Sequence, residues 1–531
     1  MNELFHQNLG DALRYRAEVS PAACAISFPQ TGEQLSYRSW RDESIRIASG
    51  LLELGIGQGE RIALLAENRI QWPIIEFACA LAGAIFVPLN THLRRKELEY
   101  ILGHSQVKAI FLSNRFRSQS YLSTITSLLP QLPKLKYLIT LDEPKGECID
   151  YRSLKGPEKS ITPQGGDACA LLYTSGTTGF PKGALLSHRA MLFDGSQVSS
   201  RLQINSKDRW TSMIPLFHCA GCVMNILGCV LTGARYVGID AFDPVSMFQI
   251  IQAERCTVLS GVPTSYAAML NHPDRKHYDL NSLRTGTCGG ADANPQLLAR
   301  CATEYPIPHL CNVYGQTESA TIISCPTTND PERWSTVGKP LDGCKIQITD
   351  PTTHQPVAQG RIGQIEAKGP FVMNGYFNNL EATKDTIDED GWLKTGDLGQ
   401  ITKSGNLKLT GGRLRDMIIR GGENIYPVEV ENCLLDHALV EETAVFSLPD
   451  DYYGEIVAAA VILHGIAGAG PLINHCRERL ARFKVPTMWF EVKKFPLTAS
   501  GKIKKITLQT LATKGDLQIL HNSIANKTPG F

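Results

Sequence analysis

Apolar and polar positions follow two different periods along residues 10–410. Short runs rich in β-branched residues predict strands, and these runs include 61–65, 108–112 and 257–260. Residues 243–253 instead carry apolar side chains at helical spacing, as at Phe248 and Ile251, and predict a helix. Because strands and helices alternate, the pattern favours layered α/β domains with mostly parallel sheets.

The most apolar run, residues 77–89, is shorter than the roughly 20 residues that a membrane-spanning helix requires. Its small residues and Pro88 predict a buried helix that leads into a strand. We therefore expect no transmembrane segment, whereas peripheral contact with a membrane stays open.

The spacing of turn-forming residues changes near residue 390. Turn-forming residues separate short strands and predict hairpins at 390–392, 403–406 and 411–412. After Gly422, Pro427 predicts the first turn of a helix that carries Val430, Leu434 and Leu435. Two strands and a second helix are predicted to follow it, at 443–446, 458–463 and 472–483.

This change of pattern predicts two domains with a boundary at Arg415. The first spans residues 10–414, and the second, smaller domain spans residues 416–510. The last stretch, residues 511–531, is polar and predicts a flexible tail.

The overall charge excludes some classes of partner. The formal net charge is +1, which argues against a nucleic-acid-binding protein, so any anionic ligand must be held by local groups. Fifteen cysteines are scattered along the chain without the spacing of a disulfide framework, and the first residues lack the basic start and apolar core of a secretory signal. We therefore expect a cytoplasmic protein with free thiols. No pattern indicates an oligomeric state.

Residues 173–183 carry the strongest chemical signal, because a loop of glycines, hydroxyls and one lysine lies between two apolar strands. Glycines let backbone N–H groups approach a ligand closely, and hydroxyls and Lys182 add donors and positive charge. Such a loop suits a polyphosphate. It is not a Walker A loop, because Pro181 replaces the last glycine and Gly183 follows the lysine.

This segment resembles the phosphate loop of the adenylate-forming superfamily, in its acyl-CoA synthetase or fatty acid–CoA ligase branch. The family's other motifs follow in order across residues 10–510, at 215–218, 312–318, 394–397, 412–416, 419–427 and 496–503. The resemblance implies a large N-terminal adenylation domain of layered α/β subdomains with a β-barrel-like subdomain. It also implies a small, mobile α+β C-terminal domain.

The resemblance implies residues that bind ATP and coenzyme A. The nucleotide residues so implied are Thr174, Ser175, Gly176, Thr177, Thr178, Gly179, Lys182, Gly289, Gly290, Ala291, Tyr314, Gly315, Gln316, Thr317, Asp397 and Arg413. Tyr314 is expected near the adenine, and Asp397 and Arg413 on the ribose. Gly421 and Gly422 are expected to line the tunnel for the pantetheine of CoA. Arg415 occupies the hinge position, where the family usually has Lys or Asp.

Four residues are expected to take part in catalysis, namely Lys502, His218, Thr174 and Glu318. Lys502 would bridge the attacking carboxylate and the α-phosphate, and His218 would border the acyl pocket. Glu318 would hold Mg²⁺, a hard ion that prefers carboxylate and phosphate oxygens.

The resemblance implies an ATP-dependent ligase that forms an acyl-adenylate and then an acyl-CoA thioester, on a medium- or long-chain fatty acid. Alternatives within the fold are an aryl, crotonobetaine-type or succinylbenzoate-type acid, a carrier protein as acceptor, or a luciferase-like oxygenase. An inactive nucleotide-binding scaffold is the non-enzyme alternative. The candidate acyl-pocket residues are Val223, Met224, Val262, Ser265, Cys288 and Gly315.

Overall fold

The computed structural model of the chain describes residues 8–522, apart from 160, 175–180, 292, 414–415, 421–422, 426, 451–452, 466–467, 481 and 498–502. The chain divides into two compact units. The first comprises Met1–Ile346, Glu366–Lys394 and Gly405–Leu407, and the second comprises Gln347–Ile365, Thr395–Ser404 and Lys408–Phe531.

The described residues form α-helices, several short 3₁₀ turns and one π-helix, Ala220–Leu227. The α-helices in chain order are α1 (Leu9–Val19), α2 (Tyr37–Glu53), α3 (Gln71–Leu81), α4 (Arg95–Ser105), α5 (Tyr121–Leu128), α6 (His188–Arg201), α7 (Gly228–Thr232), α8 (Pro244–Glu254), α9 (Pro263–Leu270), α10 (Pro295–Glu304), α11 (Leu380–Thr386), α12 (Pro427–Leu435), α13 (Gly470–Arg479) and α14 (Lys505–Lys514).

Strands occur along the whole described chain. In chain order they are β1 (Cys24–Phe28), β2 (Glu33–Ser36), β3 (Arg61–Leu65), β4 (Ile85–Pro88), β5 (Ala109–Leu112), β6 (Tyr137–Thr140), β7 (Ile149–Asp150), β8 (Ala168–Thr174), β9 (Lys182–Ser187), β10 (Arg209–Ser212), β11 (Arg235–Val237), β12 (Val258–Gly261), β13 (Thr285–Cys288), β14 (His309–Asn312), β15 (Ser324–Cys325), β16 (Lys339–Pro340), β17 (Lys345–Thr349), β18 (Gly363–Lys368), β19 (Gly375–Tyr376), β20 (Leu393–Ile401), β21 (Leu407–Arg413), β22 (Ile418–Arg420), β23 (Glu423–Ile425), β24 (Val440–Asp450), β25 (Gly454–Leu463), β26 (Met488–Glu491) and β27 (Gln518–Asn522).

Two mostly parallel sheets form the frame of the first unit. The seven-stranded sheet has the order β14-β13-β12-β10-β11-β1-β2, and only β1 and β2 pair antiparallel. The eight-stranded sheet has the order β19-β9-β8-β4-β3-β5-β6-β7, and its first two pairings, β19 with β9 and β9 with β8, are antiparallel. Parallel strands bring their carboxyl ends to one edge, which is where ligands bind in such sheets.

Local sequence signals set the ends of the helices. Asp243 caps α8 by accepting a hydrogen bond from the backbone N–H of Ser246, and Pro244 occupies the first turn. Helix α3 is buried from Trp72 to Leu81 and leads into β4, which confirms the buried helix and strand predicted for residues 77–89. The strands and the helix predicted from periodicity in this half of the chain are confirmed, with shifts of one or two residues at their ends.

The second unit contains a sheet that is covered on both faces. Strands β24 and β25 pair antiparallel over their full length, and their side chains alternate between two cores. Val445 and Val457 pack with residues of α12 and α13, whereas Phe446 and Ala458 pack with Leu508 of α14. Both predicted strands and both predicted helices of this region are present, although Leu435 is 49% exposed and lies outside the core.

A separate four-stranded sheet has the order β17-β18-β20-β21 and is the open, half-barrel element expected beside the layered sheets. The mixed α/β class predicted from the sequence is therefore confirmed. The turn at 403–406 joins β20 to β21, as predicted, with Gly405 at φ +84°. Gly411 and Gly412 do not form a turn, because they lie inside β21.

The predicted flexible tail is wrong for residues 511–522. Helix α14 runs to Lys514, and β27 pairs antiparallel with β26. The polar composition of residues 511–522 does not reveal the strand. The reason is that β27 lies at the edge of its sheet and buries few of its side chains. Residues 523–531 lie outside the described part of the chain.

No helix in the described ranges combines the length and the apolar character that crossing a bilayer requires.

One buried carboxyl has no polar partner among the described residues. Glu76 of α3 is 1% exposed, and neither of its carboxyl oxygens accepts or donates a hydrogen bond there. Burial raises the pKa of this carboxyl well above its usual range. The folded chain therefore holds the proton at pH values where the unfolded chain releases it, and stability is lost as the pH rises above the unfolded pKa.

We predict that Glu76→Gln gains stability over the parent as the pH rises from about 5 to about 8, because the amide cannot ionise. Denaturant unfolding across this range measures the difference. The control is Glu18→Gln on α1, an exposed glutamate. A stability difference between parent and Glu76→Gln that does not change with pH would contradict the neutral, buried carboxyl.

Candidate functional site

Four neighbouring strands of the seven-stranded sheet end at one edge and lead into the predicted site residues. Strands β10, β12, β13 and β14 are all parallel, so their carboxyl ends point the same way. His218 follows β10, Val262 follows β12, Gly289 follows β13 and Tyr314 follows β14. The fold therefore brings together residues that lie up to about a hundred positions apart in sequence.

The glycines after β13 are required by close backbone packing. A Cβ at Gly289 would lie 2.8 Å from both the Cγ2 and the carbonyl oxygen of Val313, and Gly290 has φ +80°. The N–H of Val313 donates to the carbonyl of Cys288 at 2.9 Å. The space that a side chain at Gly289 would occupy is therefore filled by Val313.

The loop after β14 folds back on itself. The backbones of Tyr314 and Ser324 exchange hydrogen bonds of 3.0 and 3.1 Å, and Ile323 donates to the Tyr314 carbonyl at 2.8 Å. A Cβ at Gly315 would lie 1.9 Å from the carbonyl oxygen of Thr321. This approach is possible only without a side chain at position 315.

The same loop presents a one-turn 3₁₀-helix, Thr317–Ser319. The N–H of Gln316 donates to Ser319 Oγ at 3.1 Å, and Ser319 Oγ donates to the carbonyl of Gln316 at 2.8 Å. These bonds fix the turn and leave Thr317 and Glu318 half-buried at its surface.

A buried carboxyl on α6 binds the backbone of this loop. Asp194 of α6 is fully buried, and its Oδ2 accepts a hydrogen bond from the N–H of Ile322 at 2.6 Å. Burial raises its pKa well above the usual range of an aspartate. Sequence inspection missed Asp194 because a single acidic residue inside a helix gives no signal.

The hairpin of β8 and β9 carries the residues on either side of the predicted phosphate loop. Thr174 pairs with Lys182 across the hairpin, and Thr174 Oγ1 donates to the carbonyl of Lys182 at 3.4 Å. The Nζ of Lys182 lies 5.0 Å from the ring centroid of Tyr376, within cation–π range.

Tyr376 brings Lys182 and Glu318 to one place. Its hydroxyl donates to Glu318 Oε1 at 2.7 Å. The N–H of Met373 donates to the carbonyl of Glu318, and the N–H of Phe377 donates to the carbonyl of Gly183. Segment 373–377 therefore joins the loop after β14 to β9. Sequence inspection missed Tyr376, although a tyrosine next to a glycine at a strand end is a weak signal for a site.

His218 lies in the turn before the π-helix. Its carbonyl accepts hydrogen bonds from the N–H groups of Gly221 and Cys222 at 2.8 and 3.1 Å, and its ring lies 4.6 Å from that of Phe217. The neighbouring Cys219 places its Sγ 3.9 Å from Thr317 Oγ1, so this turn contacts the loop after β14. Burial raises the pKa of the Cys219 thiol to about 11, which keeps it protonated at neutral pH. π-Helical turns are rare in proteins, and they are frequently found at functional sites.

The candidate acyl residues lie at or near the same edge. Val223 and Met224 belong to the π-helix and are buried, and Met224 Sδ is 4.0 Å from Thr287 Oγ1 on β13. Cys288 ends β13, and Val262 lies beside Gly290, with 3.6 Å between its Cγ1 and a Cβ built there. Ser265 is buried in the first turn of α9.

Several predicted residues cannot be placed in this site. Those outside the described part of the chain are Ser175, Gly176, Thr177, Thr178, Gly179, Arg415, Gly421, Gly422 and Lys502. Arg413 ends β21, but its side chain is not described. Asp397 lies on β20 in the second unit, half-buried, and its N–H donates to Thr395 Oγ1 at 3.1 Å.

Among the described residues, no group of three or more His, Cys, Asp or Glu side chains could hold a metal ion. Glu318 still fits Mg²⁺, because this ion is commonly held by one or two carboxylates together with substrate phosphates. Only Oε1 of Glu318 accepts a hydrogen bond within the described chain, which leaves Oε2 available to such an ion.

Comparison with known proteins assigns the chain to a family. A model of the AMP-binding enzyme family matches residues 13–377, and a model of the AMP-binding enzyme C-terminal domain matches residues 429–502. The chain therefore belongs to the AMP-binding enzyme family.

Individual relatives cover nearly the whole chain. The feruloyl-CoA synthase of Amycolatopsis sp is 35% identical over 94% of this chain and 98% of its own length. The mitochondrial medium-chain acyl-CoA ligase ACSF2 of Rattus norvegicus is 30% identical over 96% of this chain and 88% of its own.

Solved structures show the same similarity. The o-succinylbenzoate CoA synthetase MenE of Bacillus subtilis, solved with the acyl-adenylate intermediate OSB-AMP, is 31% identical with a TM-score of 0.83 and covers 94% of this chain and 97% of its own. The same enzyme with ATP and magnesium ion has a TM-score of 0.82, at 31% identity and coverages of 94% and 99%. The family and these relatives identify an AMP-forming acid–CoA ligase of the acyl-CoA synthetase branch, with a small carboxylic acid, ATP and CoA as its substrates.

We predict that Gly315→Ala destabilises the chain by about 1–3 kcal/mol, because the new methyl group would overlap the backbone of Thr321. It should also weaken ATP binding, since Thr317 and Glu318 lie on the displaced loop. Thermal unfolding and ATP titration measure the two effects. Gly468→Ala, where nothing lies within 4 Å of the added Cβ, is the matched control. Unchanged ATP affinity in Gly315→Ala would contradict a role of this loop in binding the nucleotide.

Proposed function

We propose that this ligase activates a medium- or long-chain fatty acid, using ATP and Mg²⁺, and transfers the acyl group to CoA. The proposal adds the substrate class and the roles of individual residues to the class of enzyme identified above. It rests on the chemistry of the residues gathered at the sheet edge and on the relatives that act on acids of different kinds.

The observation that carries the substrate proposal is the apolar character of the candidate acyl residues. Val223, Met224, Val262 and Cys288 have no charge, and Val223, Met224 and Cys288 are at most 1% exposed. Ser265 contributes the one hydroxyl of the set. An alkyl chain gains free energy from burial against such residues, at about 25 cal/mol per Å² of apolar surface. A substrate with a charged tail would lose hydration there without finding a partner.

We propose that ATP binds between β9 and the loop after β14. Lys182 and the loop that precedes it take the β- and γ-phosphates, and Thr317 contacts the α-phosphate. Tyr314, Gly315 and Gln316 take the adenine side together with Gly289, Gly290 and Ala291. Glu318 holds Mg²⁺, which neutralises phosphate charge when it is bound. Asp397 and Arg413 take the ribose.

The chemistry proceeds in two displacements. In the first, a carboxylate oxygen of the acid bonds to the α-phosphorus of ATP, and the bond to the bridging oxygen breaks, so that pyrophosphate leaves. In the second, the CoA sulfur bonds to the acyl carbon, its proton is released, and AMP leaves with the oxygen. Lys502 offsets the charge that develops in the first step, so the protein supplies positioning and positive charge.

The second domain, residues 416–510, takes part in both steps. We propose that it rotates about Arg415 after adenylation, which withdraws Lys502 and brings Gly421 and Gly422 to CoA. Such gating would let one enzyme hold two successive arrangements of the same site. Residues 10–414 form the adenylation domain in this proposal.

An aromatic acid is the strongest rival substrate. Feruloyl-CoA synthase and the o-succinylbenzoate enzyme are as similar to this chain as the medium-chain ligase. A flat ring would also fit apolar walls, and the candidate residues alone do not set a chain length. A carrier protein in place of CoA would leave the adenylation site unchanged.

The compartment we propose is the cytoplasm. All fifteen cysteines are free thiols, and most of them are buried, as expected in a reducing environment. The mitochondrial relative shows that other members of the branch act elsewhere.

We predict CoA-dependent pyrophosphate release with fatty acids of medium or long chain, and at least tenfold less with ferulate or o-succinylbenzoate, because the candidate acyl residues offer one hydroxyl and no charged partner. A panel of acids assayed with ATP and Mg²⁺, with and without CoA, measures it. Preference for the aromatic acids would overturn the substrate class, and adenylation without a thioester would indicate a carrier protein.

We predict that Lys502→Ala lowers adenylation at least a hundredfold, because the charge at the reacting centre is no longer offset. The second step should survive when a chemically prepared acyl-adenylate is supplied with CoA. Lys514→Ala at the end of α14 is the control for loss of a lysine from the same compact unit. Equal losses in both half-reactions of Lys502→Ala would contradict its assignment to the first.

A further inference from the structure

Tyr376 contacts two charged side chains of the predicted nucleotide site. Its hydroxyl donates to Glu318 Oε1 at 2.7 Å, and the ammonium of Lys182 lies 5.0 Å from the centroid of its ring. These are two different faces of one side chain, a polar tip and an aromatic surface.

The backbone around Tyr376 is fixed from three directions. Strand β19 pairs antiparallel with β9, with Tyr376 opposite Ala184. The N–H of Tyr376 donates to Thr383 Oγ1 at 2.9 Å, and the N–H of Met373 donates to the carbonyl of Glu318 at 2.9 Å. Gly375 has φ +134°, a conformation that residues with side chains rarely adopt. The backbone on both sides of Tyr376 therefore determines where its side chain lies.

The ammonium of Lys182 and the carboxylate of Glu318 both contact the side chain of Tyr376. Within the described part of the chain the contact found for the Lys182 ammonium is with the ring of Tyr376, and no ion pair to a carboxylate is found there. Tyr376 instead takes the carboxylate on its hydroxyl and the ammonium on its ring. Both charges therefore stay available to a ligand that carries phosphate and a cation.

We propose that Tyr376 is a positioning residue of the nucleotide site, which orients the Glu318 carboxylate for a divalent cation and holds Lys182 apart from it. The inference rests on the proposed function, since Glu318 and Lys182 must meet the metal and the polyphosphate. The hydrogen bond to Oε1 fixes the carboxylate plane and turns Oε2 towards the ligand. The cation–π contact keeps the ammonium beside β9 until phosphate replaces the ring as its partner.

Tyr376→Phe separates the two contacts, because it removes the hydroxyl and keeps the ring. We expect the divalent-cation concentration that half-saturates binding to rise about tenfold, as for loss of a hydrogen bond to a charged group. The KM for the acid should not change. Tyr376→Leu removes both contacts and should in addition weaken binding of the nucleotide itself.

Mn²⁺ binding, followed by electron paramagnetic resonance with a non-hydrolysable ATP analogue, measures the effect without turnover. Tyr100→Phe is the matched control, since the Tyr100 hydroxyl donates to the carbonyl of Pro181, next to Lys182, at 3.2 Å. Thermal unfolding of all variants tests for a merely structural role.

A tenfold weaker Mn²⁺ affinity in Tyr376→Phe alone, at an unchanged unfolding temperature, supports the proposal. Parental Mn²⁺ affinity in Tyr376→Phe, an equal loss in Tyr100→Phe, or no Mn²⁺–nucleotide binding by the parent would overturn it. Because this measurement needs neither acid nor CoA, failure to form a thioester would contradict the proposed function and leave the role of Tyr376 standing.

Discussion

The site depends on the close approach of the backbone at Gly315 to that of Thr321. This contact folds the loop after β14 back on itself, and the paired backbones of Tyr314 and Ser324 close it. The turn that carries Thr317 and Glu318 is held against the sheet edge as a result. A side chain at position 315 would push the loop away from the strands that provide the rest of the site.

Two polar side chains then fix that loop from both sides. Asp194 accepts the N–H of Ile322 from beneath, and the hydroxyl of Tyr376 donates to Glu318 from the side of β9. A buried acceptor that is satisfied by one backbone donor costs free energy when either partner is lost, so such contacts favour one arrangement of the loop. The loop after β14 is thus already arranged before a ligand binds, as expected where catalysis relies on positioning.

The sequence alone predicted the layered sheets and the segments that carry the candidate site residues. Motif residues such as Lys182, Tyr314 and Thr317 stand directly beside apolar strands, and the period of those strands is visible without a structure. Tyr376 and Asp194 were not predictable, because their importance comes from contacts between segments far apart in sequence. The polar edge strand β27 was missed for a related reason, since it gains its order by pairing with β26.

The central claim is that the acid is activated by bonding to the α-phosphorus of ATP, and a labelled substrate tests it most directly. The measurement uses a fatty acid with ¹⁸O in both carboxyl oxygens, together with ATP, Mg²⁺ and CoA, and mass spectrometry of the products. The account predicts one ¹⁸O in AMP and one in the thioester. AMP without label, or label in phosphate released with ADP, would contradict it.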